Sequence, residues 1–184
     1  GDSRYEFFVN GVKVSWGPAR GDLYHRRYET VDLAPHLHAG NNVLAAVVWN
    51  EGQYAALAQW SNRTGFLVQA ADSEHEKLVN TGTAGWSSTQ NSAYQPYPLQ
   101  GYLWSEIGPG YYAISPMERF DAAQHPWGWQ TAAFDDSAWS AVENGPAAAA
   151  RDSSDSPSRW MLVPRPIPMM EETPMRLARL RQAE

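Results

Sequence analysis

Tyr5-Glu6-Phe7-Phe8-Val9-Asn10-Gly11-Val12-Lys13-Val14-Ser15-Trp16 decides the fold class. Two runs rich in aromatic and β-branched residues flank Asn-Gly, the pair that most readily adopts the positive φ angles of a two-residue hairpin turn. Residues 5–16 are therefore expected to be a β-hairpin. Working outward, Gly17-Pro18-Ala19-Arg20-Gly21-Asp22 reads as a loop from its Gly and Pro content, and Tyr28 to Leu33 alternates as a strand does. Asp32 is placed to open a short helical turn through Leu37. After Gly40-Asn41-Asn42, the unbroken apolar run Val43 to Trp49 has strand length and predicts a central strand covered on both faces.

Gly65 to Ala70 and Lys77 to Asn80 read as two further strands. From Trp86 to about residue 130 the chain is aromatic and irregular, so long loops are expected there. In Phe134-Asp135-Asp136-Ser137-Ala138-Trp139, short polar side chains able to bond nearby backbone N–H groups predict a turn with Phe134 and Trp139 turned inward. Gly145 to Pro157 is a loop by composition, and Trp160 to Val163 is a last strand. Pro164, Pro166 and Pro168 then favour an extended linker, and Met175 to Arg181 has the composition of a short tail helix. No internal repeat is found. The reading is one β-sandwich domain over residues 1–163, followed by a linker and tail over 164–184.

Composition narrows the function. The chain has 184 residues, 43% apolar and 18% charged, enough for a hydrophobic core and unlike a disordered segment. No run approaches a membrane-spanning length and no signal-peptide pattern opens the chain, so neither is expected. A net charge of −6 with dispersed basic residues argues against nucleic acid, and the absence of Cys removes disulfides and thiolate chemistry. Nine Trp and nine Tyr are the informative excess, because such rings fill cores and also stack on sugars.

Several of these segments, in this order, resemble the N-terminal domain of bacterial α-L-rhamnosidases, a jelly-roll placed ahead of a catalytic helical barrel. The resemblance runs through YEFFVNG (Tyr5 to Gly11), GPAR (Gly17 to Arg20), YETVDLAPHL (Tyr28 to Leu37) and AGNNVLAAVVW (Ala39 to Trp49). It continues in ERFDAA (Glu118 to Ala123), Gly128-Trp129, FDDSAW (Phe134 to Trp139) and LVPRPIPMMEE (Leu162 to Glu172). It implies an all-β, antiparallel, galactose-binding-like sandwich with long irregular loops and a Pro-rich C-terminal tail. It further implies a secreted or periplasmic setting and a role as a non-catalytic accessory domain of a glycoside hydrolase. Partners would then be rhamnose-containing glycans and the downstream catalytic barrel, and the chain would hold no catalytic carboxylates, which the family places in that barrel. Members begin with one or two strands before the hairpin, so a missing or substituted sheet edge is also expected here.

Candidate chemistry is weighed on the residues. Inverting glycoside hydrolysis needs two opposed carboxyl groups with room for a water. The adjacent pairs Asp135-Asp136 and Glu171-Glu172 fit caps and solvated exits better. His25, His36, His38, His75 and His125 lack the spacing of a helical zinc site. Sugar binding needs an aromatic plate beside bidentate polar groups, and loops gather such groups. Trp16, Arg20, Asp22 and His25, around the loop after the hairpin, are the first candidates, although a turn packing on a neighbouring domain fits that loop equally well. Trp104, Trp127 and Trp129, with Tyr111, Tyr112 and Asp121, are the second set, at least half of its rings being expected in the core. A structural calcium ion follows only from the likeness to related sandwiches, with Asp2, Asp121, Asp135 and Asp136 as candidate ligands.

Overall fold

The computed structural model of the chain describes residues 1–97, 117–151 and 160–176. Strands β1 (Arg4–Val9) and β2 (Val12–Gly17) form the expected hairpin. Its two turn residues have φ of 50° at Asn10 and 82° at Gly11, the paired positive values of a type I′ turn. Asn10 also ties the hairpin tip to the rest of the chain, since its amide donates to His36 O at 2.9 Å and its Oδ1 accepts from Val43 N–H at 2.9 Å. The pairing slips between Phe7, opposite Ser15, and Phe8, opposite Lys13, so Val14 is an extra residue in a β-bulge.

Strand β4 (Leu44–Trp49) pairs antiparallel with the other side of β1, and the sheet order is β2-β1-β4. The apolar run at 43–49 is thus an edge strand rather than the central strand expected; the centre is β1. An apolar run reports burial of side chains, not the number of neighbouring strands, and here only Ala45 of β4 is buried. The alternating Tyr5, Phe7 and Val9 of β1 carry the core, packed by Val14, Leu44, Val48, Phe66 and Trp86 among others. Phe66 meets Tyr5 at 5.4 Å and Phe7 at 5.8 Å between ring centroids.

Phe66 does this from a segment that is not a ladder strand. Gly65 makes a single bridge to Asp2, and beyond it Val68 and Ala70 bond Thr81 and Asn80, largely through side chains. The strand expected at 77–80 is instead a four-residue helical turn, α1 (Glu76–Val79). Asp72 decides this by accepting the N–H groups of Glu74 and His75, each at 3.0 Å, which starts a turn just ahead of the segment.

The expected strand at 28–33 begins earlier and stops sooner, as β3 (Arg26–Tyr28). Beyond it Asp32 Oδ1 accepts from Ala34 N–H and a 3₁₀ turn spans Ala34–His36, the short helical turn expected there. β3 joins β10 (Met161–Pro164), the expected last strand, and β9 (Ala149–Ala150) in a sheet of order β3-β10-β9. Both pairings are parallel, in addition to the antiparallel pairs expected of the sandwich. β3 and β10 lie so far apart in sequence that no hairpin joins them, so the antiparallel default does not apply to that pair. Two antiparallel pairs complete the described chain: β5 (Ser87–Ser88) with β8 (Ser140–Ala141), and β6 (Tyr94–Tyr97) with β7 (Met117–Phe120). The fold is all-β, with little helix besides α1.

The Pro-rich segment after β10 is fastened at two points. Arg165 donates its backbone N–H to Tyr28 O and pairs through its side chain with Glu29, and Lys13 meets Glu172 at 2.7 Å. The expected tail helix lies mostly outside the described residues. Among the described residues no helix is long and apolar enough to cross a membrane.

Candidate functional site

The loop that leaves β2 at Gly17-Pro18 returns to β3 through a turn built by Asp22. Its Oδ1 accepts from Tyr24 N–H at 2.7 Å and from the His25 ring at 2.9 Å. The other ring nitrogen, Nε2, accepts from Arg151 Nε–H at 3.2 Å, so the imidazole proton sits on Nδ1 and is donated to Asp22. That bond is the main cause holding the Asp22 carboxyl below its ordinary value of 3.8. Gly21 is required within this loop, because a Cβ there would collide with the carbonyl oxygen of His25.

The turn forms one wall of a cleft. Arg20 and His25 come from the loop, Arg26 and Arg27 from β3, and Arg4 from β1; Trp60 with Gln59 forms another wall. The Trp60 side chain is 60% exposed and also lines an adjoining cleft with Asn50, Leu57 and Asn62. Among the described residues, no Asp or Glu lines either cleft. Arg26 is buried, with Nη2 at 3.1 Å from the carboxylate of Asp2, itself 1% exposed. Asp2 also accepts from Asn62 N–H at 3.0 Å and from the Trp160 indole at 3.2 Å, fixing the far wall to β3 and to the entry of β10.

Of the first set of sequence candidates, Arg20 and His25 line the cleft and Asp22 braces it from behind His25. Trp16 does not line it; its half-buried ring lies 5.3 Å from Lys13 Nζ. Of the second set, Trp104, Tyr111 and Tyr112 lie outside the described residues. Trp129 packs edge-on against Phe8 at 5.3 Å, a structural contact. Trp127 is 67% exposed and stacks near His125 and Phe120, with its indole N–H bonded to Ala122 O. Asp121 closes the turn beside it, accepting from Ala123 N–H at 3.0 Å and from Gln124 at 2.7 Å, and these bonds hold its carboxyl below the ordinary value.

Sequence reasoning missed Trp60, Arg4, Arg26 and Arg27. The signal for Trp60 is a large aromatic between Gln59 and Ser61-Asn62, outside any periodic segment, where nothing in the pattern asks for core. The acid pairs take structural partners: Asp135 accepts from Ser137 N–H, Asp136 from the Ser87 hydroxyl, and Glu171 from Thr173. Among the described residues, no group of three or more His, Asp or Glu could hold a metal ion, so the four calcium candidates are not gathered into one site.

No family model and no curated protein matches the chain. Among solved structures it is similar to the GH78 family rhamnosidase of Bacillus sp. GL1, at 23% sequence identity and a TM-score of 0.48. That alignment covers 91% of this chain and 16% of the other, so the chain spans about a sixth of that protein's length.

Proposed function

We propose that the chain is a non-catalytic, carbohydrate-contacting accessory domain of an α-L-rhamnosidase-like glycoside hydrolase, meeting rhamnose-containing glycans near a downstream catalytic barrel outside the cytoplasm. The ordered motifs from the hairpin to LVPRPIPMMEE support the family. The observation that carries the sugar reading is Trp60, an exposed indole facing a cleft that also presents Gln59, Arg20 and Arg27. A pyranose has an apolar C–H face for such a ring and a hydroxyl rim for such donors. Among the described residues, no paired carboxylates, which inverting hydrolysis needs, line either cleft. Tryptophan fluorescence during titration with a rhamnosylated oligosaccharide tests the reading: a saturable change, abolished in Trp60→Ala, is expected. No change at saturating sugar rejects it.

A second reading, a domain that docks on the catalytic barrel and shapes its entrance, is favoured by a different surface. Tyr94, Tyr97, Met117, Phe120 and Trp127 are all exposed on and beside the β6-β7 pair, a grouping of apolar side chains typical of interfaces. Slowed hydrogen exchange in β6 and β7 when the barrel is present would support docking; unchanged exchange would not.

A further inference from the structure

We infer that the cleft between β3 and Trp60 takes an anionic sugar, one bearing a carboxylate or a sulfate ester, with the charge met by Arg4, Arg20 and Arg27. This deepens the carbohydrate reading and rests on it. The chain as a whole is acidic, at −6, yet four of its 14 basic residues line this one cleft and, among the described residues, no acidic one does. Such a concentration of like charge opposes folding unless something offsets it.

The nearby carboxylates offset only Arg26. Asp2 is already engaged by Arg26, by the Trp160 indole and by two backbone N–H groups. Asp22, the acid on the loop, is turned onto the His25 ring and the Tyr24 N–H. Among the described residues Arg4, Arg20 and Arg27 have no carboxylate within ion-pair distance. Arg26, 8% exposed, is turned onto Asp2, and its buried Nε and the Oδ1 of Asp2 both lack a hydrogen-bond partner. Three guanidinium groups with no carboxylate partner at a single cleft are a receptor for a planar or tetrahedral oxyanion, which Arg binds in bidentate fashion. Trp60 supplies the apolar face that distinguishes a sugar from a bare ion. A nucleic acid is disfavoured, because it needs a basic track rather than one enclosed cluster on an acidic chain.

Isothermal titration at low salt with a glucuronate-bearing disaccharide, its uncharged methyl ester and the sulfate ester of the matching neutral disaccharide tests this. At least one anionic sugar is expected to bind about tenfold more tightly than the methyl ester, the worth of one charge-assisted bond. Added salt should shrink that gap. Which of the two anions shows it identifies carboxylate or sulfate as the source of charge. Arg20→Gln combined with Arg27→Gln should abolish the gap, bringing the anionic sugars to the affinity of the ester, while leaving the thermal transition unchanged. Equal binding of all three sugars overturns the anion inference but leaves the carbohydrate reading standing. Binding of none overturns both. A gap that survives the double substitution, or a single-stranded oligonucleotide that binds as tightly as the anionic sugar, also overturns it.

Discussion

Glu29 and Arg165, separated by 136 residues, form an ion pair at 3.1 Å in which the two side chains are only 6% and 11% exposed. Glu29 also accepts the Tyr5 hydroxyl at 2.6 Å and the Ala19 N–H at 3.3 Å, so one carboxylate joins β1, the cleft loop, β3 and the exit from β10. Breaking a buried pair strands a charge, whereas replacing both partners removes the problem. Arg165→Ala is therefore expected to cost about 3–5 kcal/mol. Glu29→Met with Arg165→Met is expected to cost clearly less. Urea denaturation of the three proteins decides it, and a loss below about 1 kcal/mol for Arg165→Ala would show the pair to be dispensable.

Tyr5 belongs to the same network through Glu29 and Ser15, the latter at 2.9 Å. Burial, then the bond to Glu29, pushes its phenol above the ordinary value of 10.0. Since the folded value is the raised one, this contribution is complete below about pH 10 and is lost as pH rises further, when the unfolded chain ionises first. Ultraviolet titration should show one tyrosine that ionises only with alkaline unfolding, and Tyr5→Phe should remove that step from the curve. Thermal denaturation of Tyr5→Phe should report a loss of about 1–3 kcal/mol, because Glu29 is left a donor short.

The hairpin tip makes a sharper prediction. Gly11 has φ of 82°, and a β-branched residue there should cost about 1–2 kcal/mol for the left-handed backbone alone. Asn10→Ala should destabilise by a similar amount for another reason, the loss of its bonds to His36, Asn42 and Val43. Asn10→Gly separates the causes. It keeps the φ angle without strain, so if it restores full stability the side-chain bonds contribute nothing.

At α1, His75 and Asp72 lie 2.7 Å apart on the surface. Chiefly through that bond the imidazole is raised above its ordinary 6.5 and the carboxyl lowered below 3.8. The Asp72 contribution fades as pH falls through its lowered value and the His75 contribution as pH rises through its raised one, so the pair is strongest between them. An NMR titration should give His75 a midpoint above 6.5 that returns toward 6.5 in Asp72→Asn. A midpoint at or below 6.5 in the unaltered chain would contradict the contact.

Local chemistry carried the elements that the sequence made legible. Asn10-Gly11 announces its turn, Asp32 its 3₁₀ turn, and Trp160 to Val163 its strand, because each depends on residues within a few positions. What was not legible depends on distant partners. Nothing near Val43 to Trp49 says that β1 rather than β4 is flanked on both sides, and nothing near Arg26 says that residue 162 lies parallel to it. At 77–80 a strand-like composition yields to a turn begun five residues earlier by Asp72. The cleft shows the same divide. Arg20 and His25 were visible as loop residues, whereas Trp60, Arg4 and Arg27 gain meaning only when three separate segments meet.

A crystal structure of the chain soaked with a rhamnosylated oligosaccharide decides whether Trp60 and its arginines form a sugar-binding surface. A pyranose ring stacked on the Trp60 indole, with hydroxyl or anionic oxygens on Arg20 and Arg27, is the expected result. Density for the sugar against Trp127 and the β6-β7 face, with the Trp60 cleft holding only water, would contradict it.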